Sequence, residues 1–202
     1  MEPFLRPAFL FLAPLLALSG LATPADAQWK AAEQFVTYPV SGSTGMELYQ
    51  SIGRNGPTIG NGVRTIAHTT FKLLWSRDYQ QRGSACVLAS ARPSLTIIYT
   101  LPKPSGRLSP ALKAKWDTFI AGIRAHEAVH GVNITDMVRE IERFSVGLTA
   151  ENDPGCRKVR EKLQAQLKII SDARQQKERD FDRVEMGEGG NVQQLILALV
   201  NE

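Results

Sequence analysis

The spacing of hydrophobic and polar residues divides the chain into a strand-forming first half and a helical second half. Residues 33–40 alternate and favour β-structure, and two longer stretches at 63–75 and 87–99 are rich in Thr, Ile, Val and Phe. A polar turn region at 76–84 separates the two longer stretches. This pattern predicts a small antiparallel sheet.

Shorter signals lie between the strands and after them. Thr44 and Glu47 have the capping-box spacing of a short helix that ends near Gly53, and the glycine-rich segment 55–62 is typical of a loop. The proline-rich segment 101–106 marks the change from strands to helices.

Two long helices are predicted in the second half. Ser109 followed by Pro110 is a start signal, because serine caps the free N–H groups and proline needs no partner in the first turn; this helix extends to about residue 148. Asp153 and Pro154 give a second helix the same kind of start. An apolar stripe on the second helix lets it pack antiparallel on the first, with the sheet covering their free side; the stripe contains Leu163, Leu167 and Ile170.

These elements predict an α+β fold in which a small antiparallel sheet packs on a long two-helix hairpin. We expect a single domain over residues 28–202: mainly β over 28–106, the helical hairpin over 107–186, and a tail over 187–202 that contains a short helix at 192–200.

The first long helix carries the pattern H-E-x-x-H as His126-Glu127-Ala-Val-His130, and two of the three histidines of the chain are in it. Side chains four residues apart share a helix face, so both imidazoles can bind one zinc ion. The metal makes water more acidic, and Glu127 can act as the general base that removes its proton. The histidines share a face with the apolar residues of the helix, where zinc would satisfy both rings. The motif predicts peptide or amide hydrolysis.

The N-terminal residues have the features of a signal peptide over 1–27. Arg6 precedes an apolar run at 8–21, and Ala25-Asp26-Ala27 has the pattern that signal peptidase recognises. We therefore expect a periplasmic or secreted protein without stable membrane insertion after cleavage near Ala27; an uncleaved anchor is the alternative. In an oxidising compartment, the two cysteines, Cys86 and Cys156, favour a disulfide over two free thiols.

Charge adds little to this interpretation. The net charge is +4, and it becomes +5 after cleavage, since one basic and two acidic residues leave with the signal. Basic and acidic residues alternate along the second helix, and no arginine-rich block suggests nucleic-acid binding. The expected partner is a peptide or protein substrate, with a cell-wall peptide as one candidate, and the sequence leaves the oligomeric state open.

Several segments together resemble a bacterial family of domains of unknown function that is described as predicted secreted zinc-dependent proteases. Beside the H-E-x-x-H motif, the matching residues are Tyr38-Pro-Val-Ser-Gly42, Gly56-Pro57, Cys86, Leu101-Pro102, Trp116, Cys156 and Phe181-Asp182. The resemblance implies a secreted peptidase that uses zinc.

The third zinc ligand is open at this point. The resemblance implies a histidine shortly after Asp182, but Gly187 stands at that position. Two carboxylates beside it, Glu185 and Glu188, are the first candidates. Asp136 follows His130 by six residues with Asn133 at a possible turn, and His68 on a predicted strand is a further candidate, so both stay open.

We therefore predict an exported zinc metallopeptidase in which His126 and His130 bind zinc and Glu127 is the general base. Two alternatives remain. The fold could persist as a catalytically inactive envelope-binding or scaffold module, or the same chemistry could serve a peptidoglycan amidase.

Overall fold

The computed structural model describes residues 29–60 and 62–201. The predicted signal peptide and its cleavage site lie outside the described residues. In chain order the elements are β1 (Ala32–Val40), α1 (Gly45–Asn55), β2 (Thr58–Ile59), β3 (Val63–Arg64), β4 (His68–Arg82), β5 (Ala85–Pro104), α2 (Pro110–Ser145), β6 (Thr149–Ala150), α3 (Arg157–Met186) and α4 (Asn191–Val200). The α+β class with a helical hairpin is confirmed.

The main sheet has the order β1-β5-β4, and the short β6 pairs with the start of β5. β4 and β5 form the expected antiparallel hairpin, but β1 lies parallel to β5, so the sheet is mixed. After the segment with α1, β2 and β3, β4 begins at the end of the sheet where β1 finished. β4 therefore runs opposite to β1, and β5, which follows in the hairpin, runs in the same direction as β1. Alternating residues do not reveal this, because parallel and antiparallel strands can share the same period.

The strands are longer than predicted. β4 continues through the polar segment to Arg82, with a bulge at Asp78, and the turn is confined to Gly83 and Ser84. β5 extends to Pro104, because the prolines at its end pair with β1 rather than forming a connector. The first of the longer predicted strands is wrong at its start, since residues 63–64 belong to the separate β2–β3 pair.

The helix starts follow the capping residues, with one correction. The side chain of Ser109 accepts a hydrogen bond from the Leu112 N–H at 3.3 Å, as predicted. α3 begins three residues later than Pro154, because Gly155 and Cys156 adopt left-handed backbone conformations. Asp153 still caps the helix, since its carboxylate accepts from the N–H groups of Lys158 and Val159 at 2.9 and 3.0 Å.

The predicted disulfide between Cys86 and Cys156 is present, with a Cα–Cα distance of 5.2 Å. It ties the start of β5 to the start of α3 inside a small apolar cluster that also contains Leu88, Val159 and Leu163. The main core lies between the sheet and α2, where Phe119, Ile123 and Ile134 are buried. No helix in residues 29–60 and 62–201 has both the length and the apolar composition needed to cross a membrane.

Candidate metal centre

The two histidines of the H-E-x-x-H motif lie on the buried side of α2. His126 is 5% exposed and His130 is 9% exposed, and their side-chain Nε2 atoms are 3.2 Å apart. The neighbouring helical residues Ile123 and Ile134 are almost fully buried and hold this face of α2 in the core. The pattern of the sequence therefore positions both rings as predicted.

The end of α3 places a carboxylate beside the two rings. Asp182 Oδ1 lies 2.9 Å from Nε2 of His130 and 3.3 Å from Nε2 of His126. These three atoms form a compact cluster that could hold a metal ion. Within the described residues, no other His, Cys, Asp or Glu side chain is part of the cluster. The Asp182 side chain is 41% exposed as a whole, whereas its Oδ1 atom is buried against the two rings.

The donor set and its geometry fit zinc. In a tetrahedral site with bonds of about 2.0–2.1 Å, neighbouring ligand atoms are roughly 3.3 Å apart. The three separations in the cluster are 2.9, 3.2 and 3.3 Å. Buried polar atoms normally have partners, yet Asp182 Oδ1 and His126 Nδ1 have none that satisfies hydrogen-bond geometry. The Oδ1 atom is therefore close to both nitrogens without a good hydrogen bond to either, as expected if the lone pairs of all three atoms point at one metal ion.

The electrostatics of the cluster favour a cation. Burial opposes the charged form of His130, but Asp182, Glu127 and Glu178 together outweigh it and raise its pKa. Burial likewise opposes charge on Asp182, yet its contacts with the two histidines hold its pKa well below the usual range. The negative potential at the cluster would equally favour a bound metal ion, which would compete with protons for the same atoms.

Two further residues of α3 surround His126. The Phe181 ring stacks on the imidazole with a centroid distance of 4.8 Å and an interplanar angle of 20°. Glu185 Oε2 lies 3.7 Å from His126 Nδ1, and its other oxygen accepts a hydrogen bond from Asn191 at 2.9 Å. Glu185 thus faces the ring nitrogen that points away from the cluster, so it could orient the ring.

Glu127 points toward the sheet. Its side chain is almost fully buried, and Oε2 accepts a hydrogen bond from the Thr69 hydroxyl at 2.5 Å. One turn further along α2, Gly131 lies against the Tyr99 hydroxyl, and a Cβ atom at Gly131 would be 2.1 Å from that oxygen. Burial and the nearby Glu33 and Glu127 raise the pKa of Tyr99 to about 12, so the phenol stays protonated.

The structure brings together only part of what the sequence suggested for the third ligand. Glu185 is close but faces the other nitrogen of His126. The other candidates are not part of the cluster: Glu188 is exposed, Asp136 is exposed and pairs with Arg139 at 3.5 Å, and His68 begins β4. Asp136 stays away because α2 continues straight through Asn133 without the turn that this ligand would need.

Asp182 is a candidate ligand that the sequence analysis did not identify. It was noted only as part of the Phe181-Asp182 pair. A signal was present in the sequence, since Asp182 follows Ile170, Arg174 and Glu178 at successive spacings of four residues, and all four are buried or half-buried on α3. An acidic residue on an inward stripe opposite a histidine pair is a natural ligand candidate.

Comparison with known proteins gives a family without an assigned activity. The family described as "Bacterial protein of unknown function (DUF922)" matches residues 35–190, which include both histidines, Glu127 and Asp182. Neither a curated protein nor a solved structure matches the chain significantly.

Proposed function

The chain belongs to this bacterial family of unknown function, and we propose that it is an exported zinc-dependent metallopeptidase. The observation that carries the proposal is the convergence of Nε2 of His126, Nε2 of His130 and Oδ1 of Asp182 at separations of 2.9–3.3 Å. Two histidines and one carboxylate form the protein ligand set of many catalytic zinc sites.

The three residues would hold zinc, and each has a separate function in doing so. The neutral imidazoles supply nitrogen ligands, and the Asp182 carboxylate offsets part of the positive charge. Phe181 covers one face of the His126 ring and limits its rotation. A zinc ion at this position would supply a Lewis acid that polarises a peptide carbonyl and makes water a stronger acid.

Glu127 is the residue that would move protons. It follows His126 directly on α2, and its Oε2 is occupied by the Thr69 hydroxyl, whereas no hydrogen bond to Oε1 is found within the described residues. A carboxylate with one free oxygen can accept a proton from water and later deliver it to the leaving amine. The reaction would therefore be hydrolysis, with water as nucleophile and an amine and a carboxylate as products.

The proposed location outside the cytoplasm has two supports. The sequence of residues 1–27 has the order of a signal peptide, and the disulfide between Cys86 and Cys156 needs an oxidising environment to persist. Fractionation of cells that express the full chain, with detection of a mature form that begins near Gln28, would test this part of the proposal.

The chemical test uses the mature protein and two matched variants. Wild type should bind about one zinc ion per chain and hydrolyse peptides, and chelation should abolish the activity. Glu127→Gln keeps the shape of the side chain but cannot hold the proton, so it should retain zinc and lose at least about 10²-fold in kcat. Glu140→Gln on the exposed side of α2 is the control and should behave as wild type.

The substrate panel separates the alternatives. It should contain denatured proteins, unstructured peptides, and intact peptidoglycan together with its stem peptides. Cleavage confined to the bond between sugar and stem peptide would identify an amidase instead. Zinc binding without hydrolysis of any member, by wild type and Glu127→Gln alike, would overturn the peptidase and indicate a binding or scaffold module. Failure of wild type to take up zinc would overturn the metal centre itself.

A further inference from the structure

A row of side chains on the sheet supports the helix that carries the histidines. Thr69 on β4 pairs directly with Tyr99 on β5, and Tyr99 pairs with Phe35 on β1. All three contact α2: Thr69 meets Glu127, Tyr99 meets Gly131, and the Phe35 ring lies 5.9 Å from the Arg124 guanidinium. The sheet therefore fixes the rotation of α2 at the segment that bears the motif.

Thr69 makes the direct contact of this row with a proposed catalytic group. Its hydroxyl oxygen lies 2.5 Å from Glu127 Oε2 and 3.2 Å from the Glu127 main-chain carbonyl. A buried carboxylate needs donors, and Thr69 is the only side chain found to donate to Glu127 in the described part of the chain. Threonine is β-branched and has few χ1 options on a strand, so it presents its hydroxyl in a fixed direction.

We propose that Thr69 is a positioning residue that sets the orientation of the Glu127 carboxylate. By occupying Oε2 it fixes the plane of the carboxylate and leaves Oε1 as the oxygen that is free to exchange a proton. The catalytic part of this inference rests on the proposed function. The contact itself does not, because it can be measured in the metal-free protein.

Three variants separate this role from the general preference of threonine for strands. Thr69→Val keeps the branched shape and loses the hydroxyl, whereas Thr69→Ser keeps the hydroxyl. Thr70→Val makes the same change at the next residue, which is exposed. All three should bind zinc with an affinity within about threefold of wild type, because Thr69 contacts neither histidine nor Asp182 among the described residues.

In peptide hydrolysis, Thr69→Val should lower kcat by about 10-fold or more with little change in KM, since misplacing a reacting group by about 1 Å can cost up to 10²-fold. Thr69→Ser should recover most of the loss, and Thr70→Val should match wild type. Equal kcat for Thr69→Val and wild type would overturn the proposal. So would a loss that Thr69→Ser does not recover.

A double-mutant cycle on the metal-free protein provides a readout that does not depend on activity. Thr69→Val should lower the unfolding midpoint in the wild-type background and have a smaller effect when Glu127 is already alanine. Equal shifts in both backgrounds would show that the two residues are not coupled and would overturn the proposal. If wild type hydrolyses nothing, the proposed function fails, and this cycle alone decides whether Thr69 holds Glu127.

Discussion

Replacing Asp182 with alanine is the most direct test of the metal centre. The change removes the carboxylate whose Oδ1 lies 2.9 and 3.3 Å from the two histidine nitrogens. Four-ligand zinc sites bind with about 10–16 kcal/mol, so one ligand accounts for about 2.5–4 kcal/mol. We therefore expect the Kd for zinc to rise by about 10²–10³-fold, at about 1.4 kcal/mol for each factor of ten.

The assay is a competition titration against a chelator of known affinity, at constant pH because protons compete for the same atoms. Asp180→Ala is the matched control, since this exposed carboxylate on the same helix pairs with Arg183 and not with the histidines. Glu185→Ala should weaken zinc binding by about 10–100-fold, as expected for a residue that orients a ligand. Unchanged affinity for Asp182→Ala, together with a large loss for Glu185→Ala or Glu188→Ala, would refute the assignment.

Three further predictions concern stability. Replacing both Cys86 and Cys156 with alanine should remove about 4 kcal/mol, given the 70-residue separation, and lower Tm by about 8–16 °C in thermal unfolding; a shift below about 2 °C would contradict this. Gly131→Ala forces a Cβ against the Tyr99 hydroxyl and should cost about 1–3 kcal/mol in denaturant unfolding, with partial recovery by Tyr99→Phe. Burial opposes the charged form of Asp153, but its backbone donors together outweigh burial and lower its pKa in the folded state. The stabilisation that the Asp153 carboxylate gives to the fold is therefore complete above its unfolded pKa of about 3.9 and is lost as pH falls through its folded pKa. Asp153→Asn should therefore show a shallower loss of stability on acidification below about pH 4, and an unchanged acid profile would contradict it.

Features that depend on a few neighbouring residues could be predicted from the sequence. The cap at Ser109, the short helix after Thr44 and the faces of α2 follow from local hydrogen bonding and from the 3.6-residue period. The disulfide followed from the presence of just two cysteines in a chain with a predicted export signal. Each of these signals acts over short range or involves a single possible pair.

The features that could not be predicted depend on how distant segments pack. The polar segment after residue 75 continues β4 by pairing with β5, and Tyr79 packs against the small apolar cluster while the Arg160 guanidinium stacks over its ring at 4.3 Å. Likewise, the parallel direction of β1 is set by which strand it adopts as neighbour. Neither segment shows in its own sequence which strand it pairs with. The polar composition of the first therefore predicted a turn, and the alternation in β1 predicted an antiparallel neighbour.

The third ligand shows the same limitation on the scale of one helical turn. Asp182 and Glu185 are three residues apart on one face of α3, so either could meet the histidines until the rotation of α3 against α2 is known. The packing assigns them to different nitrogens of His126, with Asp182 beside Nε2 and Glu185 beside Nδ1. An imidazole that binds a metal through one nitrogen commonly donates a hydrogen bond through the other. The two carboxylates can therefore serve complementary functions at one imidazole, because Asp182 lies beside the nitrogen that faces His130 and Glu185 Oε2 lies 3.7 Å from the other nitrogen.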